Sequence, residues 1–302
     1  MTNTRIGWVG IGNMGWPMAR NAKKAGLDVS VFDLDQDRLG RFADEFETGR
    51  ASSLSALAEM SDLIVTIVPD GKVVRSICFG EGDSLSDNLR EGMVIVDMSS
   101  SEPYGTKELA EELAKKGVTF IDAPVSGGIK GADQATLAIM VGGEDEAAIG
   151  KAMPMFEATG GNIFRCGPTG AGHAMKCLNN YLSAIGLTAA GEALVVGKEF
   201  GLDPATMIDI INVSTGRNSS TERKFHANIF PGTFDSGFAT ALMTKDVGIA
   251  QGLSARQNNN TPILDQLSEI WKTTAENEEF TDHTHVVEYL ARLNNVNLQK
   301  KG

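Results

Sequence analysis

Three glycines, Gly10, Gly12 and Gly15, stand between an apolar run at Ile6–Val9 and a helical pattern that begins near Met14. The loop reads Gly10-Ile11-Gly12-Asn13-Met14-Gly15, and a second apolar run, VSVFD, ends at Asp33. Strand, glycine turn, helix, strand and acid, in that order, are what a dinucleotide site requires. Gly10 permits the tight turn, Gly12 lets backbone N–H groups approach a pyrophosphate, and Gly15 lets the helix lie close to the strand. The helix N-terminus adds partial positive charge for the phosphates. The plain alternative is a glycine turn that merely joins strand to helix.

Asp33 bears on which dinucleotide. A carboxylate there accepts a hydrogen bond from a ribose 2′-hydroxyl and repels a 2′-phosphate by a few kcal/mol at about 4 Å. Asp35 and Asp37 add negative charge, with Arg38 as the nearby cation, and Leu34 and Asp35 stand where NADP sites usually place arginine. NAD is therefore expected over NADP. A second duty for Asp33, capping the helical segment Asp35–Glu47, is compatible with this.

Proton chemistry points elsewhere. A long, largely apolar helical segment from His173 to about Phe200 carries one polar stripe, Lys176, Asn180 and Ser183, at spacings that share a face. A lysine amid apolar residues is costly unless it is paired or faces a cavity. Desolvation suits such an amine to proton exchange with a substrate oxygen near neutral pH. A lysine snorkelling to the surface satisfies the same pattern, and His173 and Asn179 beside it read as structural. The run Asp122–Ala132 contains Ser126, Gly127 and Gly128, whose hydroxyl and amides could cradle a carboxylate, or simply form a loop. Lys245-Asp246 lies in a helical stretch, Phe238–Gln257, where a solvated charged pair is equally consistent. Arg217, in the loop Ser214–Ser220, could grip an anionic tail. His283-Thr284-His285 has no further ligands at useful spacing, so no metal is expected.

These residues need elements to hold them. Apolar runs recur at Leu63–Pro69, Met93–Ser100, Val118–Val125, Thr136–Gly143 and Asn162–Gly167, with helical patterns such as Pro103–Lys116 and Asp145–Thr159 between them. That alternation predicts an α/β domain, a Rossmann-type doubly wound parallel sheet covered on both faces, over residues 1–165. From 166 to 302 only helices are expected, led by the long interdomain helix from His173, which reads as buried because it is apolar around most of its circumference. Later helices should begin at Asp203-Pro204 and Thr261-Pro262.

The chain has 302 residues, 42% of them hydrophobic, enough for two domains with their own cores. A formal charge of −12 argues against nucleic acid or an anionic membrane as partner. Neither a transmembrane span nor a signal peptide is evident, and the odd number of cysteines, three, without metal spacing suits reduced thiols in a cytoplasmic protein.

Taken together the motifs resemble the β-hydroxyacid dehydrogenase family, which includes 3-hydroxyisobutyrate dehydrogenase and tartronate semialdehyde reductase, with 6-phosphogluconate dehydrogenase more distant. Its GxGxMGxPMA is matched by Gly10–Ala19, its DxPVSGG by Asp122–Gly128, its GxGxxxKxxNN by Gly170–Asn180, and its KD pair by Lys245-Asp246. The resemblance spans nearly the whole chain. It implies that Lys176 is the general acid/base and that Asn180 positions substrate beside it. It implies further that Ser126, Gly127 and Gly128 bind the substrate carboxylate, and that Lys245 closes over cofactor and substrate with Asp246 as its neighbour. Gly10 to Gly15 would hold the pyrophosphate and Asp33 the adenosine ribose. Val68 and Pro69 would lie along the cofactor, with Ser100 near the nicotinamide ribose. Family members usually associate through the helical domain, as homodimers or homotetramers.

The expected activity is NAD-dependent hydride transfer between a small β-hydroxy acid, 3-hydroxyisobutyrate-like, and its semialdehyde. Alternatives are tartronate semialdehyde or another short semialdehyde, including succinic semialdehyde, a sulfonated aldehyde or a serine-like amino acid. A phosphogluconate substrate is disfavoured, since the terminal QKKG offers sparse phosphate ligands. Imine-reducing relatives generally replace the lysine, as do relatives that serve only as dinucleotide-binding scaffolds.

Overall fold

In the computed structural model the described residues are 4–299. Lys300, Lys301 and Gly302, weighed above as phosphate ligands, lie outside them. The chain forms two compact units that divide between Lys176 and Cys177.

The first unit alternates strictly at first: β1 (Arg5–Val9), α1 (Gly15–Lys24), β2 (Asp28–Phe32), α2 (Gln36–Phe46), β3 (Gly49–Arg50), α3 (Leu54–Met60), β4 (Leu63–Thr66), α4 (Gly71–Phe79), β5 (Val94–Asp97), α5 (Pro103–Ala114) and β6 (Thr119–Asp122). It continues with β7 (Val125–Ser126), α6 (Gly128–Asp133), β8 (Leu137–Gly142), α7 (Glu146–Thr159) and β9 (Gly160–Gly167). The strand order is β3-β2-β1-β4-β5-β6-β8-β7, with β9 against β8. The order reverses between β2 and β4 around β1, which places the switch point, and hence a ligand crevice, beyond the carboxyl end of β1. Alternate residues serve opposite faces. Ile6, Trp8, Leu63, Val65, Val94 and Val96 join one core, while Val9, Ile64, Ile95 and Phe120 join the other. Apolar residues on both faces are what a sheet covered twice demands.

The sheet departs from parallel only at its far edge. Strands β3 through β6 are parallel, but β8 pairs antiparallel with both β6 and β7. The reason is length. A parallel crossover must carry the chain back to the strands' starting edge, and six-residue α6 spans only about 9 Å. Fourteen-residue α7 is long enough, and β9 runs parallel to β8.

Helix α8 (Ala171–Phe200) is 30 residues, about 45 Å, and runs across the division between the units. The second unit then holds α9 (Pro204–Asn212), α10 (Ser219–Arg223), a π-helical turn at Phe225–Ile229, α11 (Thr240–Arg256), α12 (Pro262–Ala275) and α13 (His285–Leu293). Among its described residues there is no named strand, only an isolated bridge between Ala239 and Asp282. Asp203 caps α9 by accepting from the Thr206 amide at 2.8 Å, and Pro204 takes the first helical position. The expectation of an all-round buried α8 is corrected. Ala184, Leu187, Leu194 and Val195 are buried, but Leu182, Val196 and Phe200 are 64%, 70% and 85% exposed. No helix among the described residues is long and apolar enough to cross a membrane.

Candidate active site

The glycine loop is built by close approach. Gly10 adopts φ +91°, and a Cβ there would fall 2.4 Å from the Ile67 carbonyl. A Cβ at Gly15 would fall 2.0 Å from the Gly10 carbonyl, so the start of α1 rests directly on the turn. Gly12 differs: its Cβ would meet nothing within 4 Å, leaving an opening where the backbone faces outward. The first turn of α1 holds no acid and no side-chain cap. An anion approaching these amides meets no competing carboxylate in that turn.

Asp33 is tied into the same loop. Its Oδ2 accepts from the Ile11 amide at 2.9 Å, and its Oδ1 accepts from the Asp35 amide at 2.9 Å. Asp35, not Asp33, caps α2, by accepting from the Arg38 amide. Arg38 is shared between two acids, 3.7 Å from Asp33 and 3.1 Å from Asp35. Its charge is thus already matched.

The loops at the carboxyl ends of β4 and β5 are joined to each other. The Val68 amide donates to Ser99 Oγ at 2.9 Å, beside half-buried Ser100 and exposed Pro69. Beneath them lies a set of buried polar groups that spacing alone did not reveal. Asp97 accepts from the Thr66 hydroxyl at 3.0 Å, the Ser99 amide at 2.9 Å and the Ser101 hydroxyl at 2.7 Å. An acid at a strand's carboxyl end followed by a serine run was the available signal. Ser126 ends β7, and Gly127 and Gly128 follow with φ +140° and +64°, conformations that favour glycine.

Lys176 is buried, 9% exposed, within the first turns of α8. Asn180 follows one turn later on the same helix. In the second unit Asn180 Nδ2 donates to Asp246 Oδ2 at 2.5 Å, and Lys245 Nζ lies 3.4 Å from Asp246 Oδ1. Asp246 is only 2% exposed, so the α11 pair is no solvated surface feature: its acid is buried against α8. Arg217 stands apart from that group. Its side chain is 61% exposed and its Nε lies 3.5 Å from Glu222.

His283 and His285 serve the helical unit's own packing. His283 Nδ1 lies 3.0 Å from Ser236 Oγ, and Asp282 accepts from that hydroxyl and from the Thr284 amide. Burial, with the charge of Lys224 adding to it, pushes His283 down to about 4. Burial likewise pushes Lys224 down to about 8, opposed by the Asp282 charge. His285 is stacked between Phe234 and Phe280. Among the described residues no group of three or more His, Cys, Asp or Glu could hold a metal ion.

An outward-facing glycine loop at the switch point of a largely parallel sheet, with an acid-free helix start behind it, defines a nicotinamide dinucleotide-binding oxidoreductase. Residues 5–167 match the profile of the NAD binding domain of 6-phosphogluconate dehydrogenase, and 170–290 match that of NADP-dependent 3-hydroxyisobutyrate dehydrogenase. The chain belongs to the β-hydroxyacid dehydrogenase family. It is 40% identical to 2-(hydroxymethyl)glutarate dehydrogenase of Eubacterium barkeri over 86% of this chain and 84% of that one. It is 37% identical to mitochondrial 3-hydroxyisobutyrate dehydrogenase of Mus musculus, covering 87% and 79% respectively. The structure of Mycobacterium tuberculosis 3-hydroxyisobutyrate dehydrogenase with L-serine superposes with a TM-score of 0.85 at 32% identity, over 95% of this chain and 99% of that one. The chain is accordingly a hydroxyacid dehydrogenase.

Proposed function

We propose that this protein interconverts a small β-hydroxy acid of the 3-hydroxyisobutyrate type and its semialdehyde, with NAD preferred over NADP. The observation that carries the reading is the polar stripe of α8: a buried lysine, and one turn on an asparagine bound to the buried Asp246. When bound, the dinucleotide supplies the hydride acceptor. Lys176 takes the hydroxyl proton of the acid being oxidised, and returns one to the carbonyl oxygen in the reverse direction. A positioned acid/base of this kind contributes about 10²–10⁴ in rate. Asn180 orients the reacting oxygen, and Asp246 holds the Asn180 amide in place. Ser126, Gly127 and Gly128 take the substrate carboxylate, and Lys245 closes over substrate and cofactor. Gly10 through Gly15 take the pyrophosphate, Asp33 the adenosine ribose, and Val68, Pro69 and Ser100 flank the rest of the cofactor.

A second reading is favoured by the relative at 40% identity, whose named substrate carries a further carboxylate. Exposed Arg217 is the residue we assign to such an anionic tail. A panel of β-hydroxy acids and semialdehydes, with NAD and NADP in parallel and absorbance of the reduced cofactor as readout, tests both readings. Highest kcat/KM for the monocarboxylate supports the first, and preference for the dicarboxylate, lost in Arg217→Ala, supports the second. Absence of turnover with every substrate would leave a dinucleotide-binding scaffold instead.

We also assign the exposed apolar face of α8, Leu182, Val196 and Phe200, to contact with a second copy of the chain. No disulfide joins any of the three cysteines, two of which are buried, which suits a reducing compartment such as the cytoplasm.

A further inference from the structure

Asp97 and Asp122 end neighbouring parallel strands and are directly in register. Both are buried, at 1% and 0% exposure. Two carboxylates side by side in a dry interior are costly unless each is well hydrogen-bonded. Asp97 is served by Thr66, Ser99 and Ser101. Asp122 is served by the start of α8: Oδ1 accepts from the Gly170 amide at 2.7 Å and Oδ2 from the His173 amide at 2.9 Å. Those are orphan donors of a helix N-terminus, satisfied by an acid from 48 and 51 residues away.

The His173 ring stands between the two acids. Its Nε2 is 3.5 Å from Asp97 Oδ2, its Nδ1 is 3.9 Å from Asp122 Oδ2, and Thr106 Oγ1 lies 2.8 Å from Nδ1. Nε2 is buried and makes no hydrogen bond, so Thr106 is the one side chain that hydrogen-bonds the ring among the described residues. The same Asp97 fixes the turn holding Ser100, and through Ser99 it reaches the Val68 amide. His173 is thus where the loops assigned to the cofactor meet the helix that carries Lys176. Lys176 lies three residues on, on the same side of α8 and about 4.5 Å further along the axis.

We propose that His173 is a positioning residue for the reaction: clamped by Asp97, Asp122 and Thr106, it sets where the first turn of α8 presents the Lys176 amine. This rests on the reading of Lys176 as acid/base. A misplacement of about 1 Å in such a group costs on the order of a hundredfold in rate.

The test compares His173→Leu, His173→Gln and Thr106→Val with Lys176→Ala and the double variant His173→Leu/Lys176→Ala. We expect His173→Leu to lower kcat roughly tenfold to a hundredfold, with KM for the hydroxy acid and Kd for NADH within about threefold of wild type. His173→Gln, which keeps a donor and an acceptor, should recover most of that loss. Adding His173→Leu to Lys176→Ala should cost nothing further, because a residue acting through Lys176 has nothing left to position. Should His173→Leu not fold, Thr106→Val, which removes the partner of Nδ1 together with the hydroxyl's bond to the Glu102 carbonyl, carries the test with a smaller fall in kcat. Wild-type kcat in whichever of these variants folds, or an additive loss in the double variant, overturns the proposal. Full turnover by Lys176→Ala would instead defeat the acid/base reading itself, so the two failures are told apart.

Discussion

Replacing Asp33 by asparagine removes one charge from the proposed cofactor site while keeping the side chain's shape. The carboxylate is 12% exposed and engages two backbone amides, at Ile11 and Asp35. A 2′-phosphate about 4 Å away meets about 4 kcal/mol of repulsion per unit charge at an effective dielectric of 20. Arg38 offsets part of this, but it is shared with Asp35, which lies closer to it. A net penalty of roughly 2 kcal/mol translates to about thirtyfold preference for NADH over NADPH. Asp33→Asn should erase most of that preference, chiefly by strengthening NADPH binding. The carboxamide has one acceptor where two amides need one, so a modest loss of stability, about 1 kcal/mol, accompanies the change. Fluorescence titration with both reduced cofactors reads the ratio directly. Wild-type protein binding NADPH more tightly, or a ratio unmoved by the substitution, refutes the electrostatic reasoning.

Four further outcomes are expected elsewhere in the molecule. His283 titrates near 4 when folded against 6.5 when free, so between those values the unfolded chain takes up a proton that the folded chain refuses. Stability should therefore fall as pH drops from about 6.5 to 4, by a few kcal/mol, and His283→Gln should flatten that limb in urea unfolding. Lys224, near 8 when folded against 10.5, releases its proton first as pH rises, so stability should increase across that window. Gly172→Ala would place a Cβ 2.1 Å from the Met140 carbonyl and 2.9 Å from Asp122 Oδ2, so a loss of about 2 kcal/mol or more is expected in thermal unfolding; an unchanged Tm would contradict the close approach of α8 to β8. Leu182→Glu, on the exposed face of α8, should lower the particle mass in sedimentation without unfolding the chain, and an unchanged mass would remove that face from the interface.

What the sequence made legible was local. The glycine loop, Asp33 and the cap at Asp203 follow from spacing within one or two turns and lie where the pattern predicts, whereas the cap of α2 falls to Asp35 and not to Asp33. Strand and helix alternation also reads well, because fully buried strands need apolar residues on both faces. The antiparallel turn of β8 was not legible, since its cause is the shortness of α6 and not anything in β8. The apolar surround of α8 could not separate positions buried within the chain from those left exposed, such as Leu182, Val196 and Phe200; hydropathy does not name the neighbour. The Asp97–His173–Asp122 arrangement joins residues far apart in sequence, and His173 alone reads as an ordinary structural histidine. Likewise the charged pair Lys245-Asp246 reads as a solvated surface feature until Asp246 is found buried on Asn180.

In the proposed reaction a single lysine, Lys176, moves the proton. Lys176→Ala should bind NADH with wild-type affinity while the rate of β-hydroxy acid oxidation, followed in a single turnover, falls by about 10²–10⁴. Oxidation at the wild-type rate in that variant, with cofactor binding intact, would contradict the account.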